Sequence, residues 1–89
     1  MSNELRKDIL VVEDDWPGFL LIQQILKPLN VNIQHVTDGQ DAIEYIEENP
    51  LTSLILMDIK LPHLDGYEAT TAIKKINPDI SLLLRQLML

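Results

Sequence analysis

Cysteine is absent from the 89-residue chain, which excludes a disulfide framework and any zinc site that needs thiolates. Aromatic residues are scarce at 4%, and basic residues are few, 7 Lys and Arg against 14 Asp and Glu, for a formal net charge of −7. No cluster of positive charge is available to neutralise phosphates. That argues against direct nucleic acid binding and against an anionic membrane surface. Long hydrophobic runs are missing as well. None approaches the ~20 apolar residues of a spanning helix, and the opening Met1-Ser2-Asn3-Glu4 has no signal-peptide character. What remains is one small acidic domain, expected to be soluble and cytoplasmic, and small enough that burial is only moderately efficient.

Ile9-Leu10-Val11-Val12 is an unbroken apolar run that halts at Glu13-Asp14-Asp15. Continuous rather than alternating apolarity predicts a strand covered on both faces, as in a parallel sheet. The spacing then predicts a helix over 16–29, with Phe19, Leu20, Ile22, Ile25, Leu26 and Leu29 inward and Gln23, Gln24 and Lys27 outward. Asp15 or Asp14 caps it, Pro17 suits its first turn, Pro28 distorts or ends its last, and Asn30 closes it in the left-handed conformation. Residues 31–36 alternate, which predicts a strand with one wetter face at a sheet edge. A second helix opens at Asp38-Gly39, turns Ala42, Ile43 and Ile46 inward, and ends at Asn49-Pro50.

Leu54-Ile55-Leu56-Met57 is a second buried strand, and it too ends on an acid, Asp58. A third helix is capped by Asp65 with Glu68 three residues on, carries Tyr67, Ala69, Ala72, Ile73 and Ile76 as its apolar positions, and stops at Asn77-Pro78. Residues 80–84 supply a fourth strand. Strict alternation of strand and helix with short connections calls for a doubly wound α/β fold: a parallel sheet with right-handed crossovers.

In such a sheet, ligands bind beyond the carboxyl ends of the strands where the winding reverses. If the first and third strands are neighbours there, Glu13, Asp14 and Asp58 converge. Three carboxylates repel one another unless a proton or cation intervenes. Oxygen ligands without His or Cys suit Mg²⁺, which keeps several waters and accepts a phosphoryl oxygen. A carboxylate beside that cation can act as a nucleophile towards phosphorus and form an acyl phosphate. Acids before helices are ordinarily caps, and Asp15, Asp38 and Asp65 are read so; Asp14 is open to the same reading. Asp58 is not, because Ile59-Lys60-Leu61-Pro62 follows it in place of a helix start. Trp16 reads equally well as a helix-start residue or as lining this site. His35 and His63, each without a second ligand at metal spacing, read as surface residues.

Taken together, the segment from Ile9 through Glu13-Asp14-Asp15, the helix start Asp38-Gly39-Gln40-Asp41-Ala42, the strand ending in Met57-Asp58 and the loop Leu61-Pro62-His63-Leu64-Asp65-Gly66 resemble the receiver domain of response regulators in two-component signalling. The resemblance implies a flavodoxin-like α/β sheet of order 2-1-3-4 with the fifth strand missing. It implies a single domain over 1–89, family-like over about 8–80 with a divergent tail at 81–89, incomplete at its C-terminus. Asp58 would be the phosphoacceptor, taking its phosphoryl group from a histidine kinase or histidine phosphotransfer domain. Asp14 would bind Mg²⁺ directly, Glu13 through water, and Lys60 by its backbone carbonyl, alongside Asp58. Pro62 and Gly66 would shape the loop. The family carries Thr or Ser at the end of the fourth strand and Lys at the end of the fifth. Here Arg85-Gln86 stands at the first of these, and nothing answers to the second.

The implied role is a signalling phosphoacceptor, not an enzyme, impaired by the missing groups. The alternative is a degenerate receiver-like interaction module without phosphotransfer. An open strand edge and the apolar tail predict a homodimer through residues 80–89.

Overall fold

The computed structural model describes residues 7–58 and 66–85, with the side chains of 58, 66, 67 and 83–85 outside that description. Strands β1 (Asp8–Val12), β2 (Asn32–Val36), β3 (Leu54–Asp58) and β4 (Ser81–Arg85) form one parallel sheet in the order β2-β1-β3-β4. Helices α1 (Trp16–Leu26), α2 (Gly39–Glu48) and α3 (Gly66–Ile76) make the crossovers. The chain steps from β1 to one side for β2 and to the other for β3 and β4. The winding therefore reverses between β1 and β3, as the doubly wound reading requires.

The continuous apolar runs are explained by cover on both faces. Leu10, Val12, Ile55 and Met57 pack with Ala42 and Ile46 of α2 and Ala69 and Ile73 of α3. Ile9, Val11 and Leu56 face the other way, onto Phe19, Ile22 and Leu26 of α1. The edge position of β2 agrees with its alternation, and Gln34 on it is exposed.

Local signals act as their chemistry dictates. Asp15 accepts the Gly18 N–H at 3.0 Å and Asp38 accepts the Asp41 N–H at 2.8 Å, each capping its helix. Pro28 brings no N–H to the ladder, so after Leu26 the helix tightens into a 3₁₀ turn at Lys27–Leu29. Asn30 follows at φ 55° in the left-handed region and ends it. The expected cap Asp65 lies outside the described residues. The fourth strand starts one residue later than its pattern suggests. Ile80 still belongs to the preceding turn, its N–H donating to the Asn77 carbonyl at 3.2 Å, and Lys74 Nζ holds that turn by donating to the Ile80 carbonyl at 2.6 Å.

One expectation fails. Leu20, Ile25 and Leu29, read as inward, are 40%, 64% and 64% exposed. Among the described elements α1 alone covers its face of the sheet, and a single helix on a sheet buries one stripe. That stripe is Phe19, Ile22 and Leu26. No helix of the described residues is long and apolar enough to cross a membrane.

Candidate phosphoacceptor and metal site

Val12 stands opposite Met57 in the β1–β3 register. Glu13 and Asp58, one residue further along each strand, therefore reach the same level at the carboxyl edge of the sheet, at the switch point.

Glu13 is the one charged side chain fully buried among the described residues, at 1% exposure. Burial of a carboxylate is costly without polar partners, and its surroundings supply them. Its Oε2 accepts the Asp15 N–H at 3.2 Å. Its backbone is fastened to β2 on both sides: the Glu13 N–H donates to the Val36 carbonyl at 3.0 Å, and the Glu13 carbonyl accepts from His35 Nε2 at 2.8 Å. A carbonyl accepts only, so this bond assigns the ring proton to Nε2. The His35 ring lies flat on Phe19 of α1, centroids 3.9 Å apart and planes 4° from parallel. Trp16 leans on both rings, 5.4 Å from Phe19 and 5.9 Å from His35, and stays 59% exposed.

His35 is thus not the plain surface residue expected. Its register partner is Val11, which packs on the α1 side, so the same pleat turns the imidazole towards Phe19. Nothing in the sequence pairs His35 with Phe19; only the crossover does. A second position missed by sequence reasoning is Gly18. A Cβ there would stand 3.0 Å from Asp15 Oδ2 and 3.2 Å from Glu13 Oε1, so the bare glycine leaves room for two carboxylates at the start of α1.

Of the four expected metal ligands, the structure brings Glu13 and Asp14 to the end of β1, Asp14 exposed beside buried Glu13. Asp58 ends the neighbouring strand; its side chain, the whole of Lys60 and His63 lie outside the described residues. Among the described residues no three His, Asp or Glu side chains form a metal-sized cluster. Carboxylate oxygens of Glu13 and Asp15 face Gly18, and Asp14 lies exposed next to them; oxygen donors of this kind suit a hard cation of the Mg²⁺ type. On β4, the register sets Arg85 opposite Asp58.

This arrangement has relatives. The chain is 38% identical over 68 residues to the autoinducer 2 sensor kinase/phosphatase LuxQ of Vibrio cholerae, covering 76% of this chain and 8% of that protein. It is 36% identical over 73 residues to the luminescence regulatory protein LuxO of Vibrio campbellii, covering 82% of this chain and 16% of that one. The chain thus spans only a small part of these curated relatives. Among solved structures, a signal receiver domain from Vibrio parahaemolyticus superposes with a TM-score of 0.82 at 34% identity, over 90% of this chain and 61% of that one. The receiver domain of sensor histidine kinase PA1611 from Pseudomonas aeruginosa, described with a magnesium ion coordinated in its active site cleft, superposes with a TM-score of 0.79 at 32% identity, over 89% and 66%. Residues 9–85 match the profile of the response regulator receiver domain. That match takes in both acid-terminated strands and every crossover between them, and the chain belongs to the response regulator receiver domain family.

Proposed function

We propose that this chain is a phosphoacceptor module of a two-component phosphorelay, in which Asp58 accepts a phosphoryl group from a histidine kinase or a histidine phosphotransfer domain. The observation that carries this reading is the Val12–Met57 register, which supports convergence of Glu13, Asp14 and Asp58 at one edge of the sheet. In the transfer, a carboxylate oxygen of Asp58 attacks phosphorus, the donor's N–P bond breaks with its electron pair returning to the imidazole, and an acyl phosphate forms. The residues that would hold Mg²⁺ are Asp14 directly, Glu13 through water, Asp58, and the Lys60 backbone carbonyl. When bound, the cation would supply neutralisation of the carboxylates and of the incoming phosphoryl oxygens. The roles left to the chain are to hold Glu13 in place through Val36 and His35, and to keep space clear at Gly18. The proposal includes a cytoplasmic location, no direct contact with nucleic acid, and self-association through residues 80–89, supported by the edge position of β4 in the described sheet.

A second reading, a receiver-like interaction module without phosphotransfer, is favoured by one observation. Arg85 stands in register with Asp58 at the place where the family carries Thr or Ser. On either reading the module binds and signals and is not an enzyme in the usual sense.

Trp16 tests the metal site. Millimolar Mg²⁺ is expected to change its fluorescence, since the indole follows Asp14 and Asp15 directly and leans on the ring that holds Glu13. Asp14→Asn is expected to abolish the change. An unaltered spectrum in wild-type protein would count against a formed Mg²⁺ site.

Gly18→Ala separates site geometry from stability. Alanine gains about 1 kcal/mol of helix propensity over glycine, which is set against its crowding of the capping Asp15 carboxylate and of buried Glu13. The urea midpoint is expected to stay close to wild type while the Mg²⁺ concentration for half-maximal response rises several-fold. Equal Mg²⁺ response in both proteins would refute a role for this gap.

A further inference from the structure

Glu13, Asp14 and Asp15 occupy the turn between β1 and α1, outside either regular element. The ladder between β1 and β2 stops at the Val12–Val36 pair. The Glu13 N–H extends it by one bond, to the Val36 carbonyl at 3.0 Å. The chain then leaves β2 for Asp38, the cap of α2, and a side chain takes over: His35 Nε2 donates to the Glu13 carbonyl at 2.8 Å, towards the short end for such bonds. That carbonyl belongs to the peptide unit joining Glu13 to Asp14. A peptide unit is planar, so fixing its oxygen fixes the Cα atoms of both residues relative to one another.

We propose that His35 is a positioning residue for the metal site. By holding the Glu13–Asp14 peptide plane, it sets the relative direction of two side chains that, on the reading above, serve Mg²⁺, one directly and one through water. His35 itself touches neither the cation nor the phosphoryl group in this role. The imidazole is fit for it because it is held in turn. Its face lies on Phe19 with centroids 3.9 Å apart, and Phe19 is buried in the stripe of α1 that meets the sheet. Strand and helix thus fix the ring between them, and a ring so fixed aims its N–H at one place. Packing on Phe19 alone accounts for where the ring lies but requires no particular partner for Nε2. The bond to the Glu13 carbonyl is what links the edge strand to the turn that carries the carboxylates. Groups that orient ligands in this indirect way are needed to keep them within a fraction of an ångström of a binding geometry.

Two substitutions separate the bond from the ring. His35→Phe keeps an aromatic ring for Phe19 and removes the donor; His35→Gln removes the ring and keeps an N–H of similar reach. Mg²⁺ titrations of the isotope-labelled full chain, followed by the amide signals of Asp14 and Gly18, read the affinity. The half-saturating concentration is expected to rise about tenfold in His35→Phe and to stay within about twofold of wild type in His35→Gln. Amide hydrogen exchange in metal-free protein gives a second readout that needs no cation. The Asp15 N–H, which donates to Glu13 Oε2 at 3.2 Å, is expected to exchange several-fold faster in His35→Phe than in wild type. The amides of fully buried Leu10 and Ile55 are expected to keep their rates, which also shows that the variant is folded. Equal Mg²⁺ affinity in His35→Phe and wild type overturns the proposal. So does an equal loss in both variants, which assigns the effect to the ring, or an unchanged Asp15 exchange rate in His35→Phe. A wild type without any Mg²⁺ response refutes the metal site itself and this role with it, an outcome recognised from the wild type alone.

Discussion

Asp58→Asn is expected to eliminate phosphoryl incorporation, leaving less than about 1% of the wild-type rate with acetyl phosphate and Mg²⁺, as read by intact mass. The amide keeps the size of the carboxylate but has no nucleophilic oxygen anion to attack phosphorus. The same change is not expected to weaken the fold. Glu13 and Asp14 follow directly on β1, the strand paired with β3 that ends at Asp58, and on the proposed convergence of the three carboxylates, removing one negative charge relieves repulsion when Mg²⁺ is absent. A urea midpoint equal to or slightly above wild type, together with complete loss of the adduct, is the expected pair of results. An adduct that persists in Asp58→Asn would place the acceptor elsewhere. A wild type that never forms one would favour the interaction-module reading, with Arg85 opposite Asp58 as its structural counterpart.

The largest expected loss of stability belongs to Leu10→Ala. Leu10 lies on β1, a central strand of the sheet, is fully buried, and packs in the cluster that joins both central strands to α2 and α3. Truncation removes the transfer energy of the lost atoms and leaves a cavity that central strands cannot close, for about 3 kcal/mol. A domain of this size has roughly 5–10 kcal/mol to lose, so the variant should unfold at distinctly lower urea with an unchanged slope. Leu21→Ala offers the contrast within the same protein. That side chain is 58% exposed, and its removal from the monomer should shift stability by no more than about 0.5 kcal/mol. If the two variants unfolded at the same denaturant concentration, the assignment of the core would be wrong.

Much of this structure is visible in local patterns, and the physical reason is that those patterns involve neighbours in the chain. Asp15 and Asp38 cap because each carboxylate reaches an N–H three residues on. Pro28 and Asn30 end α1 through their own backbone chemistry. Ala42 and Ile46 face inward on α2, and Ala69 and Ile73 on α3, with Ile43, Tyr45 and Ile76 flanking them half-buried, because the polar residues of those helices leave one apolar side. On α1 that rule fails, since the helix is apolar nearly all round and the pattern does not say which stripe meets the sheet.

By itself, then, the sequence determined the alternation of strands and helices, the caps and stops, the two strands that end on acids, and the resemblance that marks Asp58. Only the tertiary structure decided that Phe19, Ile22 and Leu26 take the sheet while Leu21 and Ile25 are left outside, that His35 lies on Phe19 and holds the Glu13 carbonyl, and that Gly18 leaves the gap beside two carboxylates. These depend on contacts between segments far apart in the chain. Parallel pairing of β1 with β2, and the crossover that lays α1 on them, set such contacts, and no local spacing encodes them.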